Sequence, residues 1–471
     1  TNQKTINVNT GKEKDVYLPR IKWTKNPEIL SIIRLNRAQN KLEILHADLL
    51  NKDTYTVLTE ISDTYIDLNY CDDLTYLDNG TQFLYSSEID GYKHLYLYSM
   101  KGEKISQITA GAWEVTEIVG VAQSKAHTLI YYLSTEDSPL ERHLYSININ
   151  GKDKKKLTRT AGVNQVKMSP DCKYFMLYHS STLVLPSVSL WETAKNLELK
   201  RLEDNKALQA TISQFELGQK ELFTFKTPEN ITLNGFMIKP KNYEVGKKYP
   251  TLFYVYGGPG SQQVLNEWGG RNFMWHQYLA QEGYVVVCID NRGTDGRGAA
   301  FKKCTYKNLG KLETADQIAA ANYLIAQGIA DENRIGIWGW SYGGYMSSLC
   351  LLLGNDVFKM AIAVAPVTSW RFYDSIYTER FLGKPQDNPQ GYDDYSPITH
   401  TAKLKGKLLV VHGTGDDNVH FQNTIALQEA LIKEGKHFDS FFYPNRNHSI
   451  GGGKVRMHLY QMLTKYVTDN L

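Results

Sequence analysis

The chain has 471 residues, 42% of them apolar and 22% charged, a balance that excludes a disordered chain and suits a globular protein with large cores. Lys and Arg number 53 against 50 Asp and Glu, a net +3 with the two signs interspersed, so charge singles out neither nucleic acid nor a membrane surface as partner. The five cysteines (Cys71, Cys172, Cys288, Cys304, Cys350) lack CxxC spacing, which argues against a zinc site or a dense disulfide framework, and no apolar run approaches the roughly 18 residues of a membrane span. The start, Thr1-Asn2-Gln3-Lys4, has neither Met nor a signal-peptide apolar core, and the chain reads as processed or truncated at its front.

Residues 1–212 read as short strands rich in Tyr, Ile, Leu and Val, separated by Gly, Asp and Asn turns. This half repeats. Phe83-Leu84-Tyr85-Ser86, His94-Leu95-Tyr96-Leu97-Tyr98 and Ile108-Thr109 are echoed by Tyr131-Tyr132-Leu133-Ser134, His143-Leu144-Tyr145-Ser146-Ile147 and Leu157-Thr158. Looser copies run through Ile29 to Leu45 and Tyr174 to Trp191. A period near 50 with about four strands is that of a β-propeller blade, so 1–212 is expected to be a partial propeller of about four blades. Thr5-Ile6-Asn7-Val8 reads as the last strand of a further blade. A closed ring of seven or eight blades needs roughly 350 to 400 residues at this period, so part of the propeller is expected to lie outside this chain. A β-sandwich with chance similarity between hairpins is the alternative.

After Phe215 apolar strands alternate with amphipathic segments, the pattern of a mostly parallel sheet covered by helices, so 213–471 is expected to be an α/β domain. Strands are predicted at Thr251 to Tyr256, Val285 to Asp290, Arg334 to Trp338, Met360 to Ala365, Leu408 to His412 and Asp439 to Tyr443. Helices are predicted at Leu312 to Gln327, Gly344 to Leu353, Asn423 to Glu434 and Val455 to Thr468.

Within this half, Ile335-Gly336-Ile337-Trp338-Gly339-Trp340-Ser341-Tyr342-Gly343-Gly344-Tyr345 combines a strand, a GxSxG and a helix start. That is the nucleophile elbow of α/β-hydrolases, in which a strained turn holds a serine hydroxyl out at the carboxyl edge of the sheet. A hydroxyl at pH 7 needs a base, and the base needs an orienting carboxylate. The fold supplies these from later strand ends, in the order Ser, acid, His. His412-Gly413-Thr414-Gly415-Asp416-Asp417 offers the acid, with Asp416 favoured because it lies nearer the strand end, and Pro444-Asn445-Arg446-Asn447-His448 offers the base. A solvated loop histidine is the bland reading of His448, and its place after the last strand outweighs it. An oxyanion hole needs two donors. The Tyr342 amide is one, and Tyr256, in Tyr254-Val255-Tyr256-Gly257-Gly258, is the candidate second, with a packing role equally open.

The GxSxG segment, His412 to His420 and Tyr377-Thr378-Glu379-Arg380 together resemble the prolyl oligopeptidase family, and within it the dipeptidyl peptidase IV branch of bacterial type. The likeness covers the catalytic half and, more weakly, the strand-rich half, including Gly111-Ala112-Trp113-Glu114-Val115. It implies a triad of Ser341, Asp416 and His448, with the Tyr256 hydroxyl and Tyr342 amide as oxyanion donors. It also implies a proline-sized pocket from Tyr342, Val367, Trp370, Tyr373, Tyr377 and Val419, and an Asn418 that holds a substrate carbonyl. From spacing alone Trp370, Tyr373 and Tyr377 share one helical face, which would more often be core.

The resemblance implies a serine exopeptidase that releases Xaa-Pro or Xaa-Ala from peptides with proline or alanine second, without metal or cofactor. Its alternatives are a prolyl endopeptidase or acyl-peptide hydrolase of the same family, and a non-enzymatic propeller binding protein. In the dipeptidyl branch an acidic pair and an arginine in the propeller anchor the substrate amine; this chain has no Glu-Glu pair, and Glu141-Arg142 does not match the position. The likeness also implies export, to the periplasm or the cell surface of a bacterium, and a homodimer. The sequon Asn447-His448-Ser449 would put a glycan over the base, which favours a bacterial source.

Overall fold

The computed structural model describes residues 5–124, 127–270 and 272–471. Two compact units emerge from its contacts. The first is Thr1–His179 with Ser187–Asp204 and Gly296–Lys303, and the second is Ser180–Pro186 with Asn205–Asp295 and Cys304–Leu471. The division after Asp204 precedes the boundary drawn at 212, because helix α1 (Lys206–Ile212) belongs to the second unit.

Among the described residues of the first unit, sixteen strands form four consecutive four-stranded antiparallel sheets. The first holds β1 (Val16–Trp23), β2 (Ile29–Asn36), β3 (Lys41–Asp48) and β4 (Asp53–Ile61). The second holds β5 (Thr75–Tyr76), β6 (Gln82–Ser87), β7 (His94–Ser99) and β8 (Lys104–Gln107). β9 (Val115–Gln123), β10 (Thr128–Ser134), β11 (His143–Asn148) and β12 (Lys155–Lys156) make the third. The fourth is β13 (Val163–Met168), β14 (Tyr174–Ser180), β15 (Ser187–Glu192) and β16 (Leu197–Glu203). One apolar layer joins the first and second sheets through Ile33, Leu42, Phe83 and Tyr98, a second joins Leu84 and Leu97 to Ile130 and Tyr145, and a third joins Tyr131 and Leu144 to Phe175 and Leu177. Sheets stacked face to face in chain order are propeller blades.

The repeat is chemical as well as apolar. In β7 His94 Nδ1 lies 3.0 Å from Thr109 Oγ1, which also accepts from the Leu95 amide. In β11 His143 Nδ1 lies 3.2 Å from Thr158 Oγ1, which accepts from the Leu144 amide. Each histidine satisfies buried polar groups at the same place in its blade, so this pair carries the period. Thr5 to Val8, expected as a strand, forms none among the described residues, and Val8 packs against Ile32, Leu45 and Ala47.

The second unit is built on an eight-stranded sheet, ordered β17 (Lys220–Lys226), β18 (Thr232–Ile238), β20 (Val285–Asp290), β19 (Tyr249–Val255), β21 (Ala330–Trp340), β22 (Met360–Val364), β23 (Lys407–Gly413) and β24 (Asp439–Tyr443). From β20 to β24 all neighbours are parallel, while β17 and β18 join antiparallel. Every residue of β20 and β22 is buried, as strands covered on both faces require. The helices are α2 (Phe273–Gln281), α3 (Ala299–Lys302, within the first unit), α4 (Lys311–Ala326), α5 (Tyr342–Leu353), α6 (Ser375–Leu382), α7 (Pro389–Asp393), α8 (Gln422–Lys433) and α9 (Val455–Asn470). α5 packs on β21 and β22, and α4 packs on β21 and α5. The predicted strands and helices of this half all form, with β21 reaching further than expected in both directions. β17, β18 and the helices α1, α2, α3, α6 and α7 were not anticipated.

Candidate active site

Four strand ends build the site. β21 ends at Trp340, and Ser341 follows with φ 61° and ψ −118° before α5 begins at Tyr342. A non-glycine residue at positive φ is strained, and the surroundings hold it there. The Ser341 amide donates to Val364 O at 2.9 Å, and Ser341 O accepts the Tyr345 amide at 3.0 Å. Glycines permit the approach: a Cβ on Gly339 would stand 2.3 Å from Gly343 O, and one on Gly343 would stand 2.1 Å from Val255 O. The elbow is thus wedged against the end of β19, immediately before Tyr256.

The loops after β23 and β24 are bonded to each other. Thr414 N donates to Tyr443 O at 3.0 Å, Gly415 N to Arg446 O at 3.0 Å, and Asn445 N to Thr414 Oγ1 at 2.9 Å. This lacing brings Asp416 to His448, whose Nδ1 lies 2.7 Å from Asp416 Oδ2. The remaining acceptor positions of Asp416 are filled by His412 Nε2 at 3.1 Å and the amides of Asn418 at 3.0 Å and Val419 at 2.9 Å. Burial alone would raise the Asp416 pKa, but the hydrogen bonds from His412 and His448 outweigh it and hold the carboxyl well below the usual range. Asp417 is exposed and takes no part. Nδ1 of His448 is committed to Asp416, so Nε2 is the ring nitrogen left for a further partner. The Trp340 indole donates to His448 O at 2.9 Å, tying the histidine loop to the residue before Ser341.

Tyr256 lies half-buried with its ring 6.0 Å from that of Tyr342, and burial pushes its pKa up, so the phenol stays a donor. Trp370, buried, meets Tyr342 at 5.3 Å, Tyr373 at 5.9 Å and Tyr377 at 5.8 Å between ring centroids, the last stacked. Val367 and Val419 are buried on neighbouring loops. Tyr373 donates to Asn418 Oδ1 at 2.9 Å, which leaves the Asn418 amide hydrogens for another acceptor. Burial pushes the Tyr373 pKa up to about 12.

The aromatic stripe does not lie on one helix, contrary to its spacing. Trp370 sits in a short 3-10 turn (Trp370–Phe372), Tyr373 is extended at φ −108° and ψ 165°, and Asp374 caps α6 by accepting the Tyr377 amide. The Asp374 cap restarts the helix and turns Tyr377 back onto Trp370. His412, which braces Asp416 while its Nδ1 meets Thr424 Oγ1 at 2.7 Å, was missed as a site residue; its signal was a histidine closing a strand four residues before the acid. Glu141 meets His143 Nε2 at 2.9 Å, and Arg142 donates to Pro139 O and Glu141 O. Among the described residues no group of three or more His, Cys, Asp or Glu could hold a metal, Cys172, Cys288 and Cys350 are free thiols, and no helix is long and apolar enough to cross a membrane. The Cys71 side chain lies outside the described residues.

Comparison with known proteins converges on one family. Residues 271–471 match the prolyl oligopeptidase family, and residues 1–186 match the dipeptidyl peptidase IV N-terminal region. The chain belongs to the prolyl oligopeptidase family, in its dipeptidyl peptidase IV branch. The crystal structure of Porphyromonas gingivalis dipeptidyl peptidase 4 is similar with TM-score 0.94 and 41% identity, over 98% of this chain and 65% of that one. A probable dipeptidyl peptidase 4 of Arthroderma benhamiae is 33% identical over 99% of this chain and 61% of its own length. Prolyl endopeptidase FAP of Bos taurus is 38% identical over 81% of this chain and 50% of its own. The chain thus spans about two fifths to three fifths of the curated relatives it matches. In this family the four blades are part of the N-terminal propeller and the eight-stranded unit is the α/β-hydrolase peptidase domain.

Proposed function

We propose that this chain is the catalytic portion of a serine exopeptidase that releases Xaa-Pro or Xaa-Ala dipeptides from peptide N-termini. The observation that carries the reading is the 2.7 Å bond from His448 Nδ1 to a buried Asp416, together with a serine held at positive φ on the elbow. His448 Nε2 removes the Ser341 proton as Oγ attacks the P1 carbonyl carbon. The resulting oxyanion accepts from the Tyr342 amide and the Tyr256 hydroxyl, preorganised donors of the kind that dominate acyl-transfer catalysis. Collapse expels the amine, which takes the proton from His448, and leaves an acyl ester on Ser341. Water, deprotonated by His448, attacks the ester and restores the serine. Asp416 stays ionised throughout, fixing the tautomer and stabilising the imidazolium.

Trp370, Tyr342 and Tyr377 offer flat, rigid walls to a pyrrolidine ring, with Val367, Val419 and Tyr373 beside them. Asn418, its oxygen already engaged by Tyr373, is free to donate to a substrate carbonyl. Hydrolysis of a chromogenic Gly-Pro amide tests the assignment, with N-blocked Gly-Pro amide as the comparison. Release from the free amine alone supports an exopeptidase. Turnover of the blocked substrate alone supports the endopeptidase reading, which a relative bearing that name at 38% identity keeps in play. Export to the periplasm or surface of a bacterium is part of the proposal, supported by a sequon whose glycan would stand over His448; recovery of the native protein from cytosol alone would reject it. The proposal also includes a homodimer, which sedimentation of the whole protein at a monomer's mass would reject.

A further inference from the structure

One buried acid at this site has no role in the steps above. Glu313 lies in the first turn of α4 without exposed surface, and the Tyr342 hydroxyl donates to its Oε1 at 2.9 Å. Its Oε2 has no hydrogen-bond partner, and among the described residues no cation pairs with the carboxyl. From α5 it faces Tyr342, Tyr345 and Cys350. Cys304 and Tyr395 approach from flanking segments, and Asp316, on its own helix, is already taken by Arg292 at 2.6 Å. Tyr342 is the residue whose amide meets the oxyanion and whose ring walls the P1 pocket, and its ring touches Tyr345 and Trp370 at 5.2 and 5.3 Å.

We propose that Glu313 is a positioning residue for acyl transfer, anchoring the Tyr342 phenol so that its amide and ring hold the geometry the reacting carbonyl needs. This rests on the reading of Ser341 as nucleophile. Burial pushes the Glu313 pKa up to about 7, against the opposing pull of the Gly310 and Glu313 amides and of the Tyr342 hydroxyl. The carboxyl is therefore neutral in mildly acidic solution and ionises as pH rises past 7. A charge with no cation beside it then forms beneath the elbow, and the Tyr342 contact changes from a neutral to a charge-assisted hydrogen bond, which shifts the anchored ring.

The test uses wild type, E313Q, E313L, Y342F and the E313L/Y342F double variant, each followed by Gly-Pro amide kinetics and by the rate of fluorophosphonate labelling. E313Q keeps an acceptor and abolishes titration; E313L removes both. The expected result is a loss of about tenfold in kcat and labelling rate for E313L, the scale of one lost hydrogen bond, with KM within about twofold. Y342F should lose a similar factor, and the double variant no more than Y342F alone, because both changes cut the same contact. E313Q should stay within about threefold of wild type at pH 6.5 and lack the part of the alkaline change that wild type shows above pH 7. Additive losses in the double variant, or unchanged labelling of E313L, would overturn the proposal. If E313L does not fold, E313Q decides: a pH profile superimposable on wild type from 6 to 9 also overturns it. Absence of labelling in wild type itself would reject the nucleophile reading, and this proposal with it, whatever the peptide specificity.

Discussion

Replacing Asp416 by Asn is the perturbation with the most specific expected consequence. The carboxylate accepts four hydrogen bonds: His448 and His412 on Oδ2, and the amides of Asn418 and Val419 on Oδ1. An asparagine of the same size offers one oxygen and one NH2 in their place. With NH2 toward the two amides, donors oppose donors in a buried site. With NH2 toward the histidines, His448 escapes opposition by accepting at Nδ1, which moves its proton to Nε2, the nitrogen proposed to take the Ser341 proton. The serine then has no base. A triad held in the wrong tautomer loses about 10⁴ in kcat, or about 5 kcal/mol of transition-state stabilisation, with a small change in KM. Gly-Pro amide kinetics of D416N, with active sites counted by fluorophosphonate, measure this directly. Asp417 supplies the control: it is exposed, so D417N should stay within about twofold of wild type. A D416N enzyme within tenfold of wild type would refute the tautomer argument.

Gly343→Ala forces a Cβ to 2.1 Å from Val255 O, a backbone atom with little freedom, and should lower stability by about 2–4 kcal/mol in urea titration while displacing the elbow; an unchanged midpoint would contradict the wedge. Tyr256→Phe removes the proposed second oxyanion donor and should cost about 10² to 10³ in kcat with KM little altered, whereas a packing role alone would leave kcat intact. The first and fourth blades carry Ile21, Trp23 and Ile61, and Tyr174, Leu197 and Leu199, all more than two fifths exposed, so the 471-residue chain produced by itself should self-associate in sedimentation. A monodisperse, fully active 471-residue chain would show that these faces are not adhesive.

Much of the catalytic half was legible because its chemistry follows chain-local rules. Apolar runs such as Val285 to Asp290 are buried on both faces, and the GxSxG glycines lie where no Cβ fits. Asp416 and His448 could be picked out because each follows a parallel strand, and the structure brings those two loops together. The blades were legible because His94 and His143 recur with their partner threonines. What stayed hidden depends on contacts between distant segments. Glu313 reads as one more acid in the first turn of a helix, and only the packing of α4 on α5 places it under Tyr342. His412 looks like the end of a strand until Asp416 folds back on it. The spacing of Trp370, Tyr373 and Tyr377 suits a helix, yet the Asp374 cap breaks it. β17 and β18 resemble the blade strands that precede them, and their place in the second sheet is set by antiparallel pairing of β18 with β20 and of β17 with β18.

The central claim is that Ser341 is a nucleophile activated by His448. Fluorophosphonate treatment of the native protein, followed by peptide mass spectrometry, tests it most directly. The account predicts a single adduct on Ser341 that is lost in H448A; an adduct on another serine, or labelling of H448A at the wild-type rate, would contradict it.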